Sequence, residues 1–158
     1  MKKFLALTLA MILVCLTVCS CSSSDETKKN FKVGETAKIN DVSITLTDVS
    51  ESQGGDFFTP DEGNVFVLCE FNIENNSDKE LTISSLLNFE TYFDDYEADL
   101  SISALTSSDK DSLDGTVAAG KKMTGVIGFE VSEDWKNVEI HYTPNIISDD
   151  KVIFVAEK

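Results

Sequence analysis

NVFVLCEFNI, the run at residues 64–73, carries apolar side chains at both its odd-numbered and its even-numbered positions. Val67 and Phe71 share one face of an extended chain, whereas Phe66 and Leu68 share the other. A half-buried strand alternates apolar with polar residues, so apolar residues on both faces are typical of a strand that is covered on both sides. The run therefore predicts a central strand in a layered β protein.

The segments around this run alternate with a period of two, as half-buried strands do. Apolar positions of these runs are Val42, Ile44, Leu46, Leu81, Ile83, Phe89, Phe93, Met123, Ile127, Phe129, Val131, Val138, Ile140, Tyr142, Val152, Phe154 and Ala156. Turns rich in Gly, Asn and Asp separate them. We interpret Ser101–Gly115 as a long loop or irregular edge. Seven to eight short strands predict an all-β sandwich, with a closed barrel as the alternative.

The N-terminus has the pattern of a secretory signal peptide. Lys2 and Lys3 precede the apolar run FLALTLAMILVCL at residues 4–16. Positive charge followed by 7–15 apolar residues is typical of such peptides. A membrane-spanning helix would need about 20 apolar residues, so a signal anchor is the less favoured alternative.

The residues after the apolar run resemble a bacterial lipobox: Val18, Cys19, Ser20 and Cys21. The resemblance implies that residues 1–20 are removed and that Cys21 becomes a lipidated N-terminus, although Cys19 departs from the usual small residue. Several acyl chains, at roughly 0.8 kcal/mol per buried CH₂, would hold the protein at the extracellular face of the cell membrane. Secretion without lipid is the alternative. Residues 21–30 are polar and predict a flexible tether, followed by one domain at 31–158.

The net charge excludes nucleic acids as partners. The chain has 13 lysines and no arginine against 28 acidic residues, a net charge of −15. Removing Lys2 and Lys3 with the signal peptide leaves 11 against 28, a net charge of −17. Affinity for nucleic acids depends mainly on neutralising phosphates, which such a surface cannot do.

The sequence carries no recognisable catalytic motif. The single histidine, His141, is predicted to be a surface residue of a strand. Cys69 alternates with Val67 and Phe71, so we expect a buried, inert thiol. No Gly-x-Ser-x-Gly elbow is present to expose a serine nucleophile. We therefore predict that the protein is not an enzyme.

One acidic loop suggests calcium as the only candidate cofactor. Asp109, Asp111 and Asp114 precede a glycine at spacings that oxygen-ligand loops use. An EF-hand would carry glutamate at its twelfth position, where Gly120 stands. A solvated acidic loop is the alternative explanation, and an acidic chain favours it.

Two adjacent aromatic residues, Phe57 and Phe58, lie in the loop between Gly54 and Gly63. Neighbouring side chains of an extended segment point in opposite directions, so both rings cannot enter one core. Exposed, they would form a ligand or partner contact; packed, they would close the end of the sandwich. Trp135 is expected to fill the core at a strand connection.

Four segments together resemble a large family of bacterial lipoproteins with an extracellular immunoglobulin-like domain, related in fold to the mycobacterial immunoprotective antigen. They are Val33–Thr36, Asn64–Asp78, Asn88–Thr91 and Ala118–Val131. The resemblance implies an immunoglobulin-like β-sandwich and carries no catalytic residues. Asp94 and Asp95 stand where a glycine is usual. We therefore expect a membrane-anchored, non-enzymatic module that binds a small ligand or a surface or envelope protein, or alternatively an accessory subunit of an envelope complex or transporter.

Overall fold

The computed structural model describes residues 30–145 and 150–158. The predicted signal peptide and Cys21 lie outside the described residues. Two packed β-sheets, a small third sheet and two short helices make up the described part. The predicted all-β, immunoglobulin-like sandwich is confirmed.

Every alternating run that the sequence predicted as a strand lies in one. The strands are β1 (Asn30–Lys32), β2 (Thr36–Ile39), β3 (Val42–Ser52), β4 (Asn64–Asn75), β5 (Leu81–Ile83), β6 (Phe89–Phe93), β7 (Tyr96–Glu97), β8 (Gly115–Val117), β9 (Lys122–Ser132), β10 (Asn137–Tyr142) and β11 (Val152–Glu157). The helices are α1 (Ser85–Asn88) and α2 (Ile102–Thr106). The strands that were not predicted are β1, β2, β7 and β8. Each has two to four residues, which is too short for an alternating pattern to be recognised.

The two main sheets have the strand orders β1-β11-β10-β6-β7 and β2-β3-β4-β9. β1 runs parallel to β11, and the other ladders are antiparallel. β5 and β8 form the small third sheet. The core lies between the main sheets, where Phe71 contacts Phe89 and Phe154 at ring-centroid distances of 5.2 and 5.5 Å.

The central strand β4 is covered on both faces, as predicted. Val67, Cys69 and Phe71 lie in the main core between the sheets. Phe66 and Leu68, on the other face, form a second buried cluster with Ala104 of α2. The outer cover of β4 is therefore a helix.

Ser101–Gly115, predicted to be a long loop or irregular edge, contains a short helix that was not predicted, followed by an irregular edge segment. Residues 102–106 form α2, which begins where the Ser101 Oγ accepts a hydrogen bond from the Ala104 amide at 3.2 Å. Further along, Leu113 is fully buried in the main core. Its amide donates to the Val126 carbonyl at 3.0 Å, so the segment closes the free edge of β9.

Trp135 fills one end of the core, as predicted. Its ring contacts Phe93 edge-on at 5.4 Å between ring centroids. Its Nε1 donates to Glu51 Oε1 at 2.7 Å, and the Lys158 ammonium lies 2.7 Å from the same carboxylate oxygen. The hydrogen bond from Lys158 is the main cause of a lowered Glu51 pKa; burial opposes it, and the Trp135 bond adds to it. These groups join the ends of β3 and β11 to the turn before β10.

The hairpin at Asp94 and Asp95 places both residues in the left-handed region, at φ 49° and 70°. Positive φ at both central residues of a two-residue hairpin is the pattern of a type I′ turn, in which Asp-Gly is favoured. Asp94 has a second role, because its carboxylate accepts hydrogen bonds from the Lys136 and Asn137 amides at 3.0 Å. Only the second position is free to become glycine.

We expect Asp95→Gly to stabilise the protein by about 0.5–1 kcal/mol, because glycine adopts this conformation without strain. The measurement is thermal unfolding followed by circular dichroism. Asp94→Gly is the matched control: it gains the same backbone freedom but loses the bonds to Lys136 and Asn137, and should be destabilising. Equal effects of the two substitutions would contradict this account of the turn.

Candidate functional site

The sandwich has two distinct ends, and the candidate residues divide between them. Asn30, the first described residue, pairs with Ile153 near the start of β11. Lys158, just past the other end of β11, bonds Glu51 beside the loop that joins β3 to β4. At about 3.3 Å per residue, β11 separates these ends by roughly 20 Å. The loop with Phe57 and Phe58 thus lies at the end away from Asn30.

Both aromatic rings of this loop are exposed. Phe57 is 92% exposed and Phe58 is 40% exposed, the former the most exposed of the large apolar side chains in the described chain. Of the two arrangements that the sequence left open, the structure has the exposed one. Their role in binding remains a prediction.

The loop backbone is held in one tight conformation. The Gly55 amide donates to the Phe58 carbonyl at 2.8 Å, and the Gly54 amide donates to Ser52 Oγ at 3.0 Å. Gly54 has φ +78°, and a Cβ there would lie 2.0 Å from the Phe58 carbonyl oxygen. Only glycine permits this approach of the chain to itself. The rings therefore project from a preformed turn.

The far side of the same loop is tied to the sheet. The Asp61 amide donates to Glu130 Oε1 at 2.7 Å, and Asn64 Nδ2 donates to the same oxygen at 3.2 Å. Asp56, Asp61 and Glu62 are exposed acidic residues of the same loop. The loop therefore combines two exposed rings with three exposed carboxylates.

The three predicted calcium ligands, Asp109, Asp111 and Asp114, are not grouped around one site. Asp114 is exposed but bonded to Ser85, which donates to its carboxylate through the backbone amide at 2.8 Å and through Oγ at 2.9 Å. Burial alone would raise the Asp114 pKa, but the hydrogen bonds from Ser112 and Ser85 outweigh burial and lower it. Asp114 thus anchors the start of α1 to the segment before β8.

Asp109 and Asp111 are also exposed, and Lys110 between them forms an ion pair with Glu70 and approaches Asp48 at 3.8 Å. Within residues 30–145 and 150–158, no three His, Cys, Asp or Glu side chains are grouped to hold a metal ion. The three predicted ligands therefore have separate structural environments rather than one shared centre.

Cys69 is fully buried and has no disulfide partner among the described residues. Burial is the main cause of a strongly raised pKa for its thiol, and the Asp48 carboxylate adds to it. A reactive cysteine needs an accessible, stabilised thiolate. The prediction of an inert core thiol agrees with this geometry.

His141 lies on the outer face of its strand, but it is less exposed than the prediction of a surface residue implies. It points away from the main core, as its parity indicated, but its side chain is only 11% exposed. Its Nε2 is hydrogen-bonded to Glu139, its Nδ1 lies 3.2 Å from Lys151 Nζ, and its ring contacts Tyr92 at 5.3 Å. Neighbouring side chains on the outer face of the sheet thus cover the imidazole.

One exposed apolar feature had no counterpart in the sequence analysis. Leu86 and Leu87, in α1, are both well exposed at the end opposite the Phe57 loop. They lie just after the strand β5, separated from it by two serines, and a four-residue helix is too short for helical periodicity to reveal. The serines at 84 and 85, before the leucine pair, are the only signal of a helix start.

None of the helices described here is long and apolar enough to span a membrane.

A protein-family model described as "Domain of unknown function (DUF4352)" matches residues 31–152. Comparison with curated proteins gives no match.

Several solved structures share the fold at low sequence identity. The Bacillus subtilis protein ycdA, described as a candidate lipoprotein, is 18% identical with a TM-score of 0.64; the alignment covers 84% of this chain and 39% of ycdA. An uncharacterised β-sandwich protein from Clostridium difficile 630 is 16% identical with a TM-score of 0.53, covering 84% and 96%. The secreted Mycobacterium tuberculosis protein MPT63 is 12% identical with a TM-score of 0.54, covering 84% and 99%.

Proposed function

Because the chain belongs to the DUF4352 family, whose members share a domain of unknown function, we propose its function from its own surface and its export signal. It is a lipid-anchored, non-enzymatic module at the extracellular face of the cell membrane, and it binds an envelope protein through the Phe57–Phe58 loop. The lipoprotein resemblance of the sequence and the likeness to a candidate lipoprotein and a secreted protein support the location.

The observation that carries the proposal is the position of the two exposed rings. Asn30 is the last residue of the predicted tether, so the end of the sandwich near Asn30 would face the membrane. Phe57 and Phe58 lie at the other end, roughly 20 Å further along β11. A polar tether of nine residues adds a span of roughly 16 Å. The rings would then project away from the bilayer, toward other proteins.

The rigidity of the loop favours binding over incidental exposure. Exposing a phenyl ring forgoes the roughly 1.5–3 kcal/mol that its burial provides. Here the bond from Gly55 to Phe58 and the close approach at Gly54 hold both rings out in a fixed arrangement. A contact that is ordered before binding loses less conformational entropy on association.

The charge around the rings indicates the kind of partner. The loop that carries the rings also carries three exposed acidic residues, Asp56, Asp61 and Glu62. Binding energy at interfaces concentrates in central aromatic anchors, and complementary rim charges guide association. The partner we propose is a protein with an apolar pocket rimmed by lysine and arginine.

The side chains that could take part in catalysis are buried, covered or hydrogen-bonded within the fold, which supports a non-enzymatic role. The thiol of Cys69 is buried, His141 is covered and bonded, and Asp114 holds α1 in place. None of the three opens onto the Phe57 loop.

A photocrosslinker at position 57, in cells that express the full chain, tests the proposal. We expect one dominant crosslinked protein, and we expect a Phe58→Ser substitution beside the probe to reduce its yield about tenfold through loss of an anchor ring. If the captured protein is a component of a transporter or a secretion system encoded next to this protein, the accessory-subunit role would be assigned.

The matched control is Leu86→Ser with Leu87→Ser, which removes two other exposed apolar side chains from the opposite end. This variant should crosslink through position 57 at the parental level. A yield that is insensitive to Phe58→Ser, or that falls equally in the control, would exclude the loop as the binding surface.

A further inference from the structure

The helix α1 has its polar side chains inside and its apolar side chains outside. Ser85 and Asn88 are buried, whereas Leu86 and Leu87 are 75% and 62% exposed. An amphipathic surface helix turns its apolar side chains toward the core and its polar side chains toward water. The reversed arrangement indicates that the two leucines, which we call the α1 leucines, serve a contact outside this domain.

Hydrogen bonds hold α1 in this orientation. Asn88 Oδ1 accepts from the Ser84 amide at 2.8 Å, and Asn88 Nδ2 donates to the Thr143 carbonyl at 2.9 Å. The Thr143 amide donates in return to the Asn88 carbonyl at 2.9 Å. At the start of the helix, Ser85 donates to the Asp114 carboxylate. Turning the leucines toward the core would break these bonds, so the fold keeps the α1 leucines outside.

The helix lies at the end of the sandwich from which the predicted tether leaves. Phe89, the residue after α1, pairs with Tyr142, and Tyr142 pairs with Val152. Asn30 pairs with Ile153, the next residue of β11. The starts of β6 and β1 are therefore at the same end of one sheet, three strand spacings or about 14 Å apart.

The length of the tether brings this end of the domain, rather than the other, close to the lipid. Nine residues, 22–30, would join the proposed acyl chains on Cys21 to β1, and such a coil has an r.m.s. span of roughly 16 Å. The Phe57 loop lies roughly 20 Å further along β11, beyond this span. The α1 leucines are thus the exposed apolar pair that a bilayer would meet.

The charges beside the two exposed apolar pairs differ in the same sense. Residues 81–89, which include α1, contain no charged side chain. The Phe57 loop, by contrast, carries three exposed carboxylates. Bringing a carboxylate to the apolar boundary of a bilayer costs far more free energy than bringing a leucine, and anionic headgroups would repel it. A lipid surface therefore suits α1 and not the Phe57 loop.

We propose that the α1 leucines enter the interface of the membrane to which the chain is tethered, and that this contact sets the orientation of the domain. The inference rests on the proposed lipid anchor, which supplies the attachment. Even a single acyl chain gives only reversible membrane binding, and two leucines bury less apolar surface than that. With α1 on the lipid, the Phe57 loop points away from the bilayer. Substituting the leucines would therefore free the orientation of the domain but leave the loop available to its partner.

The test is quenching of tryptophan fluorescence in phosphatidylcholine vesicles whose acyl chains carry bromine near the headgroup. Bromine quenches tryptophan only at short range, so quenching reports contact with the lipid. The full chain is extracted from cell membranes in detergent and reconstituted, with Leu86→Trp as the probe. We expect the added emission to fall by about half relative to unbrominated vesicles, because interfacial side chains reach about 5–10 Å into the boundary between headgroups and acyl chains. Trp135, the only tryptophan of the parent, is buried and gives the background signal.

Phe57→Trp is the matched control, since it places the same exposed indole at the opposite end, and its emission should stay unquenched. Adding Leu87→Ser to the Leu86→Trp chain should lower the quenching by about half, because one of the two contacting side chains loses its apolar surface.

The possible outcomes separate this contact from the proposed function. Quenching at neither position, or equal quenching at both, would overturn the contact and leave the anchor and the protein-binding loop in place. Emission of Leu86→Trp that shifts to shorter wavelength as more chains are added per vesicle, without quenching, would overturn it in favour of a second copy of the chain. Quenching of Phe57→Trp alone would overturn the contact and the proposed function together. Chains that do not float with the vesicles would overturn the anchor on which the contact rests.

Discussion

Gly125→Ala is expected to lower the free energy of unfolding by about 2–4 kcal/mol, the largest change in stability among the substitutions considered. A Cβ at position 125 would lie 2.8 Å from the Ser112 carbonyl oxygen and 2.9 Å from the Leu113 Cα and backbone nitrogen. All three are backbone atoms, so a side-chain rotation cannot relieve the contact. The segment that closes the edge of β9 would have to move.

Movement of this segment would disrupt several interactions. Leu113 is fully buried, its amide bonds the Val126 carbonyl at 3.0 Å, and the Val126 amide bonds the Asp111 carbonyl at 2.9 Å. Displacing the segment breaks these bonds and leaves a cavity where the leucine packed, and both effects are destabilising. Thermal unfolding should show a melting temperature lower by roughly 6–12 °C.

The control for this prediction is Gly55→Ala. A Cβ at Gly55 meets nothing within 4 Å, so the same substitution should change stability by less than about 0.5 kcal/mol. Hydrogen exchange gives an independent measurement, since the Leu113 and Val126 amides should lose protection only in Gly125→Ala. A melting temperature within a degree or two of the parent would show that the edge segment accommodates the methyl group.

The segment at the edge of β9 also illustrates which parts of the fold could not be predicted from the sequence. The run at 64–73 correctly predicted a strand covered on both faces, because period-two alternation depends only on local geometry. What covers the outer face could not be read, since α2 has five residues and buries only Ala104. Likewise, Leu113 lies in a polar stretch, and its burial depends on Gly125, which is distant in sequence.

The candidate sites divide in the same way. Two adjacent phenylalanines in a glycine-rich loop are a local signal, and the exposure that it suggested is present at Phe57 and Phe58. Leu86 and Leu87 gave no such signal. Their exposure depends on the hydrogen bonds that turn Ser85 and Asn88 inward, and the partners in those bonds, Asp114 and Thr143, are distant in sequence. A reversed helix of this kind emerges only from the packed structure.

Cys21→Ser is expected to have the largest effect on location, releasing at least about nine-tenths of the protein from the membrane fraction. The proposed anchor consists of acyl chains on the sulfur at position 21, and serine cannot form that thioether. With no acyl chain, a domain of net charge −17 is repelled by anionic lipid headgroups. The measurement is fractionation of cells, with mass spectrometry of the N-terminal peptide to detect the acyl groups.

Cys19→Ala is the matched control, because it changes the neighbouring cysteine while bringing the cleavage motif closer to the usual small residue. It should remain acylated at Cys21 and stay in the membrane fraction. Both variants should melt at the parental temperature, since the described domain begins at Asn30, beyond either substitution. If the Cys21→Ser protein kept its place in the membrane, retention would have to come from the uncleaved apolar run at 4–16 or from the partner held by the Phe57–Phe58 loop. Adding Phe57→Ser and Phe58→Ser to that variant would distinguish the two, because only retention by the partner depends on the rings.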